Sequence, residues 1–294
     1  MALPAPIDLL HQGSSRVIGS YLLETEDGLA LFDCGPASTL ESLRRGLRTR
    51  QVELEQIRHL LLSHIHLDHA GAAGVIVREH AHVLVHVSEV GAPHLVDPSR
   101  LEASARRLYG ASFDGLWGEL APVPESNVRV VGDGDGVLGL EAFASPGHAS
   151  HHVCYLEADG TLYAGDACGV RIAPNPVVLP PTPPPDLDVE TWERTLDEIE
   201  RRRPERLALV HFGVFGDVEG HLRVLRRRLL EWRDLVAGGA AEEEFAERVR
   251  ASVASDADDF GVYERAMPLW QSYAGLKRYV ERLTPNPSPA TGAA

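Results

Sequence analysis

Apolar residues fall into two patterns along the chain, short runs typical of buried strands and longer stretches at helical spacing. In the first half, residues 17–23 and 29–33 predict a β-hairpin joined by the polar turn 24–28, and a helix is expected at 38–47. Further strands are predicted at 59–63, 83–87, 128–131, 139–143, 152–157, 162–164 and 206–210. Strand-rich segments in both halves predict an α/β protein with two packed sheets flanked by helices.

From Val189 onward the apolar positions recur at helical spacing, which predicts helices at 189–203, 218–236, 242–253 and near 263–283. We therefore predict a main α/β domain at 1–216 and a helical C-terminal appendage at 217–283. Apolar side chains of the appendage serve either packing on the core or contact with a partner subunit, so a homodimer is one expectation. The tail 284–294 is rich in Pro, Ser and Ala and is predicted to be disordered.

The stretch His64-Ile65-His66-Leu67-Asp68-His69 places four strong metal ligands directly after the apolar run 60–62. The small residues that follow are typical of the opening of a helix. The ligands are therefore expected on a strand-to-helix loop, where a bend can turn several side chains toward one point. Imidazole nitrogen and carboxylate oxygen are ligands for zinc, iron or manganese.

Three more residues of the same ligand types, His148, Asp166 and His211, follow apolar runs or a Pro-Gly turn. The order His-x-His-x-Asp-His, then His, Asp and a final His, resembles the metallo-β-lactamase-fold hydrolases over residues 15–213. The resemblance implies an αββα four-layer sandwich, in which two mixed β-sheets are flanked by helices, with the helical C-terminal appendage added. The resemblance also implies that 1–216 is the catalytic domain and that the metal-binding loops meet at one edge of the sandwich.

Carried over position by position, the family pattern implies two divalent metal ions, with zinc expected first and iron or manganese as alternatives. One ion would be held by His64, His66 and His148, the second by Asp68, His69 and His211, and Asp166 would bridge them. A hydroxide shared between the ions would be the nucleophile, because bound metal lowers the pKa of water from about 16 toward about 7. Asp33 resembles the family carboxylate that supports the metal loop through hydrogen bonds.

The chain has three cysteines, Cys34, Cys154 and Cys168, without a CxxC spacing. The odd count argues against a disulfide framework and against a structural zinc ribbon. Cys34 and Cys154 lie in apolar strand-like runs and are expected in the core. Cys168 follows Asp166 by two residues and is expected either to face the metal pocket behind the ligands or to be an inert buried thiol.

Two segments are expected to shape a substrate pocket. The first, 93–124, carries Tyr109 among three aromatic residues that would wall an apolar pocket. The second, 174–185, is dense in proline, and its stiff backbone would hold a pocket rim in place. Between Asp166 and this loop, Arg171 is expected either to anchor an anionic group of the substrate or to lie on the surface.

The formal net charge of −15 makes association with nucleic acid unfavourable. Arginine clusters at 201–203 and 226–228 lie in helical patterns and are expected to pair with neighbouring acids. The beginning of the chain lacks a basic segment followed by an apolar stretch, and no apolar run is long enough to span a bilayer. We expect a cytoplasmic protein acting on a small molecule, without nucleic-acid or membrane partners.

The bridging Asp166 argues against an antibiotic-hydrolysing β-lactamase, since those enzymes generally lack that carboxylate. The chain resembles the glyoxalase II group of thioesterases and related lactonases, which implies attack on an ester, lactone or thioester carbonyl, with Asp68 orienting the nucleophile or relaying its proton. Neither subgroup fits in full. Lys277 is the only lysine available to grip an anionic thiol carrier, and Gly169 stands where the lactonases typically have a tyrosine.

Other functions of the same ligand set stay open. One is oxidation by a mononuclear iron persulfide dioxygenase, which uses only one of the two sites. Another is phosphodiester hydrolysis, which the acidic charge disfavours. A non-catalytic metal-binding module is the third, and the complete ligand set argues against it because binding alone would not need an open bridged pair.

Overall fold

Two six-stranded β-sheets pack against each other at the centre of the protein, and helices flank them. The computed structural model describes residues 4–254, 256 and 259–283. The predicted αββα sandwich with a helical C-terminal region is confirmed. The predicted disordered tail 284–294 lies outside the described residues.

Within each sheet, strands that are neighbours in space are consecutive in sequence. The first sheet contains β1 (Ile7–Asp8), β2 (Gly19–Thr25), β3 (Gly28–Phe32), β4 (Ile57–Leu61), β5 (Leu84–Ser88) and β6 (Val128–Val131). The second contains β7 (Gly136–Val137), β8 (Leu140–Ala144), β9 (Val153–Leu156), β10 (Thr161–Tyr163), β11 (Arg206–Leu209) and β12 (Gly213–Phe215). Strands β3 to β6 run parallel, as do β10 and β11, and the other pairs are antiparallel, so both sheets are mixed.

The helices lie between the strands and after the last of them. They are α1 (Leu40–Arg48), α2 (Leu67–Ala70), α3 (Ala73–Glu79), α4 (Ala92–Val96), α5 (Ser99–Tyr109), α6 (Phe113–Trp117), α7 (Val189–Arg202), α8 (Val218–Ala237), α9 (Glu242–Val253), α10 (Phe260–Ala266) and α11 (Leu269–Leu283). The side chains of Asp188 and Asp217 cap α7 and α8 by accepting hydrogen bonds from first-turn backbone N–H groups. In the described ranges, no helix is long and apolar enough to cross a membrane.

Several predicted boundaries are corrected by local chemistry. The hairpin turn is shorter than predicted, because Thr25 pairs with Gly28 and leaves only two residues between the strands. The segment predicted as one helix near 263–283 is two helices, since Met267 is extended before Pro268, as residues preceding proline usually are. Strands β1, β7 and β12 were not predicted; with two or three residues each, they are too short to show an apolar period.

Two tyrosines join the sheets at the end from which the ligand loops leave. The hydroxyl of Tyr21 donates to the carbonyl oxygens of Leu209, at 2.7 Å, and Gly213, at 2.9 Å. The hydroxyl of Tyr155 donates to the carbonyl oxygen of Leu62 at 3.2 Å. Because Leu62 and Leu209 lie just before the candidate ligands that follow β4 and β11, these bonds fix the positions of both loops.

A buried histidine pair on adjacent strands predicts acid sensitivity. His59 on β4 and His86 on β5 place Nδ1 and Nε2 3.1 Å apart. Burial and the neighbouring His59 lower the pKa of His86 to about 4, against an ordinary value near 6.5. The unfolded chain therefore binds a proton between pH 6.5 and 4 that the folded chain does not bind, so this histidine makes stability fall as pH falls through that window.

We expect His86→Gln to reduce this loss. Between pH 7 and pH 5, the free energy of unfolding of the unsubstituted protein should fall by on the order of 1–2 kcal/mol more than that of the variant. Urea denaturation at the two pH values measures the difference. The exposed His82 provides the control, since His82→Gln should keep the full loss; equal losses in all three proteins would contradict the assignment.

Candidate metal centre

The seven predicted ligands meet at one edge of the sandwich. His64 and His66 follow β4, Asp68 and His69 lie on the single turn of α2, and the remaining three follow β8, β10 and β11. The carbonyl oxygen of His69 accepts hydrogen bonds from the backbone N–H groups of Cys34 and Gly35, which fastens α2 to the loop after β3. Separate strand ends thus bring ligands from distant parts of the sequence together.

His64, His66 and His148 form the first cluster. Nδ1 of His66 lies 2.9 Å from Nε2 of His64 and 3.0 Å from Nε2 of His148. Ligand nitrogens around one tetrahedral zinc ion lie about 3.3 Å from each other. The three nitrogens are therefore spaced as ligands of one cation would be.

Asp68, His69 and His211 form the second cluster. Oδ2 of Asp68 lies 3.4 Å from Nε2 of His211 and 3.7 Å from Nε2 of His69. Asp166 lies between the clusters: its Oδ2 is 3.4 Å from Nε2 of His148, and its Oδ1 is 3.4 Å from Nε2 of His69 and 3.6 Å from Nε2 of His211. One carboxylate thus presents an oxygen to each cluster.

Hydrogen bonds on the far side of four imidazole rings orient them. In each ring Nδ1 faces an oxygen outside the clusters, so Nε2 keeps its lone pair for the centre. The acceptors are Ser63 Oγ for His64 at 2.9 Å, Asp33 Oδ2 for His69 at 2.7 Å, the Pro181 carbonyl for His148 at 2.8 Å and the Val17 carbonyl for His211 at 2.5 Å. A backbone carbonyl can only accept, which fixes the tautomers of His148 and His211.

Asp33 supports two of these ligands from behind. Its carboxylate accepts three hydrogen bonds of 2.7 Å, from the backbone N–H of Ser63, from Oγ of Ser63 and from Nδ1 of His69. Asp33 is fully buried and has a φ of 52° in the left-handed region. The structure therefore places this carboxylate directly behind the metal loop, where the sequence predicted it.

Burial and neighbouring charges already give three of the ligands the protonation states that metal binding needs. Burial lowers the pKa of His66 to about 3 and that of His64 well below its ordinary value, so both rings are neutral. Burial alone would raise the pKa of Asp166, but the surrounding histidines outweigh it and hold that pKa well below its usual range. Neutral imidazoles and an ionised carboxylate are the ligand forms of these side chains. For His69 and His211, burial alone would lower the pKa, but the nearby carboxylates outweigh it and raise that pKa, so both rings would release a proton when a cation binds.

His152 positions Asp166, a role that the sequence did not indicate. Its Nε2 accepts hydrogen bonds from the backbone N–H groups of Asp166, at 3.1 Å, and Ala167, at 3.3 Å, while its Nδ1 lies 2.7 Å from Oγ of Ser145. Gly165, with a φ of 48°, lets the chain pass close to this ring, since a Cβ there would lie 2.7 Å from Nε2 of His152. A histidine four residues after a candidate ligand carries no spacing signal for this contact.

The residues present fit a pair of divalent cations. Nε2 of His69, Nε2 of His211 and Oδ1 of Asp166 are buried without a hydrogen-bond partner, although buried polar atoms are normally paired. The donor set of nitrogen and carboxylate oxygen suits zinc, iron or manganese. A cation near these atoms would satisfy all three at once.

A cavity of about 190 Å³ opens over the clusters. Its floor consists of candidate ligands, and its walls come from α5 and α6, from the proline-rich loop before α7 and from α10 and α11. The floor residues are His66, Asp68, His148 and Asp166; the walls include Leu101, Ser104, Ala105, Leu108, Tyr109, Leu116, Trp117, Pro181, Pro183, Pro184, Pro185, Arg265, Ala266, Met267, Pro268, Gln271 and Ser272. The C-terminal helices therefore form part of the candidate site.

Both segments that were expected to shape a pocket, 93–124 and 174–185, line the cavity, and Tyr109 does so from the first of them. Its hydroxyl oxygen accepts a hydrogen bond from Nε2 of Gln271. Arg171 differs from the expectation of a substrate anchor, because its guanidinium stacks on the ring of Phe215 at 4.3 Å, outside the cavity wall. Cys168 is fully buried in the hydrophobic core and does not line the cavity.

His11 also lines the cavity and was missed. Its ring stacks on Trp117 at 5.5 Å, and its buried Nδ1 has no hydrogen-bond partner. Leu10 and Gln12 on either side have left-handed φ values of 50° and 52°, which turn the loop so that His11 points inward. A single histidine without ligand spacing gives no signal for this position.

Comparison with known proteins gives a family match over most of the sandwich. The model of the metallo-beta-lactamase superfamily matches residues 17–211. YqjP, a probable metallo-hydrolase of Bacillus subtilis (strain 168), is 27% identical over 185 residues, 53% of this chain and 54% of the relative. Among solved structures, the metallo-beta-lactamase family protein TTHA1429 from Thermus thermophilus has a TM-score of 0.66 at 19% identity, covering 95% of this chain and 93% of that one.

A further solved structure, that of TTHA1623 in a di-iron-bound form, has a TM-score of 0.54 at 22% identity, covering 71% of this chain and 93% of that one. At these identities the structural likenesses show the fold. The chain spans about half the length of YqjP.

Proposed function

The chain belongs to the metallo-β-lactamase superfamily, whose members are mostly metallohydrolases, and from this we propose that it is a metal-dependent hydrolase of a small carbonyl substrate. The observation that carries the proposal is the position of Asp166 between two three-residue clusters. A single structural metal would not need a second cluster or a shared carboxylate facing an open cavity. The substrate class we infer is an ester, lactone or thioester, as in the glyoxalase II and lactonase branch.

In this proposal, His64, His66 and His148 hold one divalent ion, and Asp68, His69 and His211 hold the other, with Asp166 shared. Two ions bound there would lower the pKa of a water molecule and polarise the substrate carbonyl. Asp68 lines the cavity, and in this proposal its carboxylate orients the attacking water or receives its proton. Asp33 and the backbone acceptors keep the rings in fixed orientations.

Metal removal and metal counting test the proposal together. We expect about two zinc, iron or manganese ions per chain by elemental analysis, hydrolysis of at least one ester, lactone or thioester, and loss of that hydrolysis after chelation with recovery on adding the metal. One iron per chain with oxygen consumption on a persulfide would instead identify a dioxygenase. Turnover of phosphodiesters alone, or bound metal without turnover, would also overturn the proposal.

A further inference from the structure

We propose that the substrate is neutral and carries a hydrophobic acyl group, which lies between α5–α6 and α10–α11, with the hydroxyl of Tyr109 donating to a substrate oxygen. This inference rests on the proposed hydrolysis and adds the chemical class of the group next to the reacting carbonyl. It concerns the cavity walls, whereas the proposed hydrolysis concerns the floor.

The walls of the cavity are mainly apolar. Helices α5 and α6 and the α10–α11 junction contribute these apolar side chains: Leu101, Ala105, Leu108, Trp117, Met267 and Pro268. Such a surface favours an aliphatic or aromatic group, because each buried methylene adds about three- to fourfold to affinity. A polar group attached to the reacting carbonyl would leave these apolar walls without an apolar contact.

The cavity offers no counter-charge for an anionic substrate tail. Arg265 is the only lysine or arginine among the described lining residues, it is exposed, and its guanidinium already lies 3.8 Å from the carboxylate of Asp259. The carboxylates of the floor, Asp68 and Asp166, are ligands of the proposed metal ions, and those ions would act on the reacting carbonyl rather than on the tail. An anionic tail at the walls would therefore be desolvated without a free cation to pair with.

Tyr109 provides a hydrogen-bond donor in this apolar surrounding. Nε2 of Gln271 on α11 donates to its hydroxyl oxygen, and its ring lies edge-on to Trp117 at 5.1 Å and to Trp270 at 6.3 Å. Burial raises the pKa of Tyr109, so the hydroxyl stays protonated, and none of the described residues accepts that proton. An uncharged carbonyl or ether oxygen of the substrate is the group that this donor suits.

A set of acyl thioesters of N-acetylcysteamine tests the inference on the metal-loaded enzyme. From acetyl to octanoyl, kcat/KM should rise about three- to fourfold per methylene until the cavity is filled. Hexanoyl should exceed adipoyl, its equal in length with a terminal carboxylate, by about a hundredfold. Equal rates along the series, or a preference for adipoyl, would overturn the inference while leaving metal-dependent hydrolysis intact.

Binding to the metal-free protein separates the two proposals further. Trp117 lines the cavity, so tryptophan fluorescence should report octanamide with an affinity at least about tenfold higher than that of octanoate. This readout needs no turnover, so it remains decisive if no substrate is hydrolysed. Equal affinity for the amide and the carboxylate would contradict a neutral pocket.

Matched variants locate the pocket. Ala105→Leu fills the cavity from α5 and should lower the octanoyl-to-acetyl ratio of kcat/KM about tenfold or more. Ala103→Leu adds the same side chain to the exposed face of the same helix and should keep the ratio. If both variants keep it, the acyl group lies elsewhere.

A second pair of variants tests the hydrogen bond from the hydroxyl of Tyr109. Tyr109→Phe keeps the ring and should lower the affinity of the metal-free protein for octanamide about five- to tenfold, as expected for one lost hydrogen bond. Tyr273 is the control: it lies on α11, two residues after Gln271, but its hydroxyl donates to the carbonyl of Ala240, outside the cavity wall. Equal affinities in Tyr109→Phe and Tyr273→Phe would remove Tyr109 from the proposal.

Discussion

Replacing Asp166 by asparagine is expected to remove at least one metal ion per chain and to lower kcat/KM about a thousandfold. The reason is geometric. Among the described residues, Asp166 is the side chain whose two oxygens reach both clusters, at 3.4 Å from His148 on one side and 3.4 Å from His69 on the other. Asparagine keeps the size of the side chain but lacks its charge, so one of the two cations would lose its anionic ligand.

Two further variants assign the ions to the clusters. His148→Ala should lower the content of the first ion and His211→Ala that of the second, each by about one ion per chain, measured by elemental analysis after buffer exchange. His82→Gln, at an exposed position outside both clusters, should change neither metal content nor rate. If His211→Ala loses one ion but keeps full activity, the protein works with one ion and the dinuclear proposal fails. If it keeps full metal content, His211 is not a ligand.

The sequence predicted the candidate ligands because their signals are local. Four of the seven lie within residues 64–69, and each of the others directly follows an apolar run or a Pro-Gly turn. Strand ends are easy to recognise in such runs, and parallel or neighbouring strands bring their ends to one edge of a sheet. The arrangement of the loops was therefore predictable once the family resemblance supplied the order of the sheets.

The cavity walls were less predictable because they depend on contacts between distant segments. Tyr109 was expected at a pocket, but its partner Gln271 lies 162 residues away on a helix whose position no local pattern reveals. His11 enters the cavity only because two left-handed residues flank it. The guanidinium of Arg171, the expected anchor, instead stacks on the ring of Phe215 on β12. This contact depends on the antiparallel pairing of β12 with β11, and β12 was not predicted.

The division into a catalytic domain and an appendage at residue 217 stays a prediction. Helix α8 packs on α7, which precedes that boundary, and α11 packs on α8 and α9. Since α10 and α11 supply part of the cavity wall, we propose that 217–283 completes the site rather than serving only as a packing surface. A separate expectation, contact with a second subunit, concerns the outer faces of these helices.

Replacing Asp33 by asparagine is expected to weaken metal binding although no ligand residue is substituted. The amide oxygen of asparagine can still accept from the backbone N–H of Ser63, but its NH₂ group would face two donors, Oγ–H of Ser63 and Nδ1–H of His69. His69 would lose the bond that holds its ring, so affinity for the ion it helps to hold should fall about 10- to 100-fold. Because Asp33 is fully buried, the free energy of unfolding should also fall by about 1–3 kcal/mol.

Zinc titration against a competing chelator and urea denaturation of the metal-free protein measure the two effects separately. Asp234→Asn is the matched control, since Asp234 is exposed on α8 and its carboxylate pairs with the neighbouring Arg233, far along the chain from any ligand. A variant at Asp33 that loses stability but keeps zinc affinity would make this carboxylate a folding element alone. Loss of both would show that the hydrogen bonds behind His69 and His64 set the affinity of the centre, since the substitution leaves every ligand side chain in place.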